Sequence, residues 1–167
     1  MSFNKTEYIN ILNYILSNCY DKPHVGKTVI STTMYFIDFN YYEIYGESLT
    51  GEEYVKSKKG ILPKHFNKIT DELIERKKIY LRKEPYYHTT LYKYYLTHLP
   101  DIHFTKKKEN MISSTVKRLI TKNATSILKY ASRDPPFQMA EYNEAIDYNN
   151  VYLRYPRYSI RKKFINL

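Results

Sequence analysis

The chain has 167 residues and 20.2 kDa, of which 43% are hydrophobic and 26% charged, enough for one domain with a real core and incompatible with wholesale disorder. A single cysteine, Cys19, excludes an internal disulfide framework and a multi-cysteine zinc site, and no apolar run approaches the roughly 20 residues of a membrane span. Net charge +10 and a pI of 9.4 leave open nucleic acid, an anionic surface or an acidic protein as partner.

Tyr8, Ile11, Leu12, Ile15, Leu16 and Cys19 recur at helical intervals, predicting a first helix that Thr6 caps and Pro23 follows. Cys19 falls on the apolar stripe and reads as a small core residue rather than a nucleophile. A second helix is expected from Lys27 to Tyr45, with Val29, Ile30, Thr33, Met34, Ile37, Tyr41 and Ile44 inward and Gly46 at its end. It is apolar on more than one face, as a central helix would be. Leu49-Thr50-Gly51 reads as a turn and residues 53–58 as a short extended piece before Gly60 and Pro63.

A third helix is predicted over residues 64–77, then two strands, 79–82 and 89–96, joined through residues 84–88. Lys106-Lys107-Lys108-Glu109 reads as a polar connection to a helix over 111–121, with Ser113-Ser114-Thr115 as its capping hydroxyls. A short helix follows over 124–131. Asp134-Pro135-Pro136 is expected to break the chain and forbid helix, letting Phe137 insert into the core as a latch worth about 3–5 kcal/mol. Residues 151–155 form the last ordered segment. The expected fold class is α+β, predominantly α-helical, with a small antiparallel hairpin or sheet.

Enzyme signatures are largely missing. Val25-Gly26-Lys27-Thr28 imitates the end of a phosphate loop but lacks the upstream Gly and strand. His24, His65, His88, His98 and His103 show no helical pairing suited to zinc. The acids of Glu52-Glu53 and Asp71-Glu72 read as solvated or capping groups. No catalytic, cofactor or metal residue is expected. The 20 tyrosines, seen beside many Asn, Ile and Lys, match AT-rich coding and carry little functional weight.

Charge is distributed unevenly. Residues 1–55 hold 3 bases and 7 acids, 56–99 hold 11 and 4, and 100–133 hold 8 and 2. Residues 134–149 hold 4 acids and no base, and 150–167 hold 5 bases and no acid. In the tail, Arg154, Arg157, Arg161, Lys162 and Lys163 alternate with aromatic residues that include Tyr155 and Tyr158. Anchoring area beside steering charge suits a partner-binding element. The basic clusters at 106–108, 117–122 and 154–163 equally allow a nucleic-acid-binding regulator with a winged-helix-like hairpin.

Three motifs carry a family resemblance. Residues 34–39, then Gly46-Glu47-Ser48-Leu49-Thr50-Gly51-Glu52-Glu53-Tyr54, then Gly60-Ile61-Leu62-Pro63, resemble the N-terminal core of the SocA-like Panacea antitoxin domain. That family shows a Leu- and Tyr-rich helix, a Gly-x-x-Leu-Thr-Gly-x-x-Tyr turn and a Gly-Pro-Val-Pro step. Its C-terminal Ser-His-x-Asp-x-Pro-Trp segment is matched by residues 131–137, with Asp134 and Pro136 kept, Ser132 at the His position and Phe137 at the Trp. The likeness covers about residues 5–153, leaving 154–167 as a basic tail. It implies a non-catalytic antitoxin without cofactor, encoded beside a toxin and neutralising it by direct contact, in one branch as an adaptor to a protease. The implied partner is a cognate protein toxin, with a protease or nucleic acid as alternatives and no membrane.

Overall fold

The computed structural model describes residues 1–165. Helix α1 (Lys5–Cys19) is capped by Asn4, whose side chain accepts from the Glu7 backbone N–H, not by Thr6. Its stripe from Tyr8 to Cys19 is buried throughout, as the spacing predicts. Helix α2 (Lys27–Tyr45) is buried on nearly every side and ends where expected, at Gly46 in the left-handed region (φ 69°), whose N–H closes on the Tyr42 carbonyl. Gly26, the glycine of the phosphate-loop imitation, starts α2 with Leu91 packed over it; a Cβ there would meet that side chain at 3.3 Å.

A hairpin follows in which β1 (Tyr54–Ser57) pairs antiparallel with β2 (Gly60–Pro63), Tyr54 opposite Pro63. The second strand is a correction to the sequence reading. Its glycine is required by φ 117° and by the Leu128 side chain, which lies 2.5 Å from where a Cβ would stand. Helix α3 (Phe66–Glu75) then leads into a longer hairpin, β3 (Ile79–Tyr86) against β4 (Thr89–Leu96). β4 packs on α1 and α2 and buries Lys93 and Tyr94, while β3 is largely exposed.

Helix α4 (Lys106–Leu119) begins five residues earlier than predicted. The lysine run is its first turn, and Ser113-Ser114-Thr115 lies mid-helix rather than at a cap. Ser113 and Ser114 hydroxyls donate to carbonyls one turn back, the usual accommodation of serine inside a helix. Helix α5 (Ala124–Ala131) matches its predicted bounds, with Asn123 as cap. The double proline does not forbid helix. It occupies the first positions of a short α6 (Pro135–Met139), where a missing N–H has no intrahelical partner to lose. A 3-10 helix (Tyr148–Leu153) and a one-turn α7 (Arg161–Phe164) complete the chain. The result is predominantly helical with two separate two-stranded antiparallel sheets, the predicted α+β class. Helices α1, α4 and α5, both hairpins and the C-terminal turns all contact α2, which is the axis of the core.

Candidate functional site

A helix apolar nearly all round has nowhere to put a polar residue except the interior. α2 carries Asp38, Asn40 and Glu43, all buried. Buried charge must be compensated, and two neighbouring clusters in the C-terminal half of α2 do this differently.

Asp38 is served entirely by neutral donors. Its carboxylate accepts from the Thr50 backbone N–H (3.0 Å), the Thr50 hydroxyl, the Tyr54 hydroxyl (2.6 Å) and the Ser48 hydroxyl (2.9 Å). Burial raises its pKa, and these hydrogen bonds pull partly in the other direction. The turn over 46–54 is therefore wrapped around one carboxylate. Gly46 and Gly51 (φ 65°) give it its left-handed corners, and the N-terminus is laid across Gly51 so closely that a Cβ would sit 2.1 Å from the Ser2 carbonyl oxygen. Asn4 N–H donates to the Thr50 carbonyl (2.6 Å), fastening the start of α1 to the same turn.

Glu52 extends this centre. It is buried, a correction to the solvated reading, although it does cap: it accepts from the His65 backbone N–H (3.0 Å) just ahead of α3, and His65 Nδ1 lies 2.8 Å from its second oxygen. Phe3 stacks on the His65 ring at 3.9 Å. Gly46, Thr50, Gly51 and Tyr54 thus belong to the turn around Asp38, whereas Gly60 and Pro63 lie in β2, with Gly60 packed against Leu128.

The second cluster uses a cation. Arg154 holds Asp134 bidentately, Nε to Oδ1 and Nη2 to Oδ2, both at 2.8 Å. Its Nη1 reaches Glu43 and Asn40, each at 2.9 Å, and Tyr35 donates to Asp134 (2.8 Å). Burial by itself would lower the Arg154 pKa, but Asp134 and Glu43 more than offset it and hold the guanidinium charged. Asp134 gives α6 no side-chain cap because its carboxylate is turned to this arginine. Arg154, expected at a partner surface, is instead an internal brace with 1% of its side chain exposed.

The rest of the tail divides. Ser159 donates to Glu43, Arg161 Nε lies 3.5 Å from the same carboxylate, and Ile160 is buried. Tyr155, Arg157, Lys162 and Lys163 are exposed and Tyr158 is half-buried. Pro136 is buried, but Phe137 is only half-buried, with Lys56 Nζ 4.7 Å above its ring, so the full-core latch is not what forms. Its neighbours explain this: Met139 and Tyr142 remain exposed, leaving that face of α6 at the surface.

The sequence reading missed Tyr35, Asp38, Asn40 and Glu43. The signal was present: three polar side chains within six residues of a helix apolar on more than one face, in a chain whose tail bears bases with no local acid. Among the described residues no three His, Cys, Asp or Glu are grouped to hold a metal ion, and no helix is long and apolar enough to cross a membrane. Chemically, both carboxylate centres spend their acceptor capacity internally. What remains for a partner is the exterior, where Tyr152, Leu153 and Tyr155 stand exposed beside Arg157.

Compared with known proteins, residues 33–136 match the family model described as the antitoxin SocA-like, Panacea domain. No curated protein and no solved structure matches the chain. The matched span starts in α2, contains the whole 46–54 turn and ends just past Asp134.

Proposed function

This chain belongs to the SocA-like Panacea antitoxin family, and on that premise we propose that it neutralises a cognate protein toxin by direct contact, supplying no catalysis of its own. The observation that carries the reading is the family match itself, which covers the scaffold around Asp38 and reaches Asp134. Both buried centres act as scaffold in this reading, so the specificity lies outside them. The exposed part of the tail, Tyr155, Arg157, Lys162 and Lys163, offers aromatic area and charge together, the composition of interface anchors.

The test is growth rescue. The open reading frame beside this one, induced alone, should arrest growth, and co-expression of this chain should restore it. No arrest, or arrest without rescue, would refute the reading. Cutting the tail after Tyr152 would be uninformative, since it removes Arg154 from the interior; ending the chain after Ile160 keeps that brace and Ser159. Toxin that persists at full level during rescue indicates inhibition, whereas toxin that disappears indicates delivery to a protease.

A further inference from the structure

The basic clusters left unassigned by the buried centres converge in one place. Arg118 and Lys122, at and beyond the end of α4, both lie over the Tyr130 ring of α5, at 5.7 and 5.3 Å from its centroid. Tyr130 meets Tyr158 of the tail edge-on at 5.7 Å, and Arg157 lies 4.8 Å over Tyr158. On its inner side Tyr130 contacts Phe36 of α2 at 5.0 Å, so the ring pair is wedged against the core. Three cations from two segments 35 residues apart in sequence are thereby set on one aromatic backing.

Some surface cations of this chain are paired with acids: Lys5 with Glu72, Lys64 with Glu53, Lys108 with Glu7. Among the described residues Arg118, Lys122 and Arg157 have no such partner. We propose that these three residues, backed by Tyr130 and Tyr158, form one docking surface for an acidic patch on a partner protein. The proposal rests on the antitoxin reading, in which that protein is the toxin.

A carboxylate-bearing protein fits this surface better than a nucleic acid does. Binding a strand by stacking requires free ring faces for the bases, and here the faces are covered by cations and by the neighbouring ring. An arginine lying on a ring still directs its N–H groups outward, in the fork that matches a carboxylate. Rings fixed against Phe36 also hold the cations in place before the partner arrives, which lowers the entropy lost on binding.

The experiment measures binding of the full chain to the purified product of the neighbouring reading frame, and separately to a 20-base-pair duplex. Arg118→Glu with Lys122→Glu, and Arg157→Glu, should each weaken binding to that product about tenfold or more, since like charges then face each other. Arg82→Glu with Lys83→Glu serves as control: it reverses as many exposed charges on β3, also lying on tyrosine rings, and should change binding less than about twofold. Should a reversal variant melt early, Arg118→Gln with Lys122→Gln replaces it, and its loss should still exceed that of the control.

Unchanged binding by the folded variants would overturn the proposal, as would equal loss in the control. Loss of duplex binding with the protein complex intact would assign the surface to nucleic acid and overturn it too. If the unmodified chain fails to bind the neighbouring product, the antitoxin reading fails first and this surface falls with it; if it binds and rescues while the variants do the same, only this proposal fails.

Discussion

Two neighbouring clusters in the C-terminal half of α2 solve one problem in opposite ways. Asp38 is buried without a cation and held by hydroxyls and one backbone N–H, whereas Asp134 and Glu43 are buried around a guanidinium. The Asp38 donors Ser48, Thr50 and Tyr54 come from 10 to 16 residues away, a local loop closed on its own helix. The Arg154 contacts to Asn40 and Glu43 span 114 and 111 residues, and Tyr35 to Asp134 spans 99. The first centre shapes a turn; the second clips the C-terminal segment to the body. A neutral donor shell can lose one member and reorganise, but an ion cluster that loses its one fully buried cation strands Asp134 and leaves Glu43 only the partly exposed Arg161.

Arg154→Ala should therefore have the largest effect. Removing one side of a buried ion cluster destabilises by about 3–5 kcal/mol, a large fraction of a domain's total stability. Thermal or urea unfolding measures it, and a loss under about 1 kcal/mol would erase the distinction between the two centres.

Asp38→Asn should be milder at neutral pH, about 1–3 kcal/mol, because an amide keeps one acceptor oxygen but turns an N–H₂ towards hydroxyl donors. Its pH dependence sharpens the contrast. The folded pKa of Asp38 is raised, so protonation favours the folded state; that contribution is fully present below the unfolded value of about 3.9 and is lost as pH rises through the folded one. Wild type should accordingly lose stability relative to Asp38→Asn between acid and neutral pH, in paired melts. A gap between the two proteins that widens as pH rises would reverse the sign and refute a net desolvation effect.

Phe137→Ala probes what the second centre owes to packing. The half-buried ring should contribute about 1–2 kcal/mol, below the range for a core phenylalanine. A loss as large as that of Arg154→Ala would show that the ring, not the ion cluster, fastens this end of the molecule.

Much of the local structure is legible in the chain. The stripe from Tyr8 to Cys19, the bounds of α2 with Gly46 as its stop, and the extent of α5 all follow from apolar spacing and end signals, and the 46–54 turn from its glycines and threonine. These features depend on neighbours within a few residues, so periodicity and φ preference suffice to find them. The misreadings at the lysine run and the double proline came from rules that describe helix interiors applied to first turns, where missing hydrogen bonds and charge are tolerated.

The acids of α2 were a different matter. Sequence alone required Asp38, Asn40 and Glu43 to find partners, since a helix buried all round leaves no solvated face. It could not say which partners. Thr50 and Tyr54 stand close in sequence and belong to a visible motif, but Arg154 looks in the chain like one more base among Arg157, Arg161, Lys162 and Lys163. Only the packing of the 3-10 helix between α2 and α6 turned it inward and left Arg157 outside. The sequence determined that charge would have to be compensated in the core; tertiary structure decided which base did it, because burial depends on contacts between segments about 110 residues apart, which no local pattern encodes.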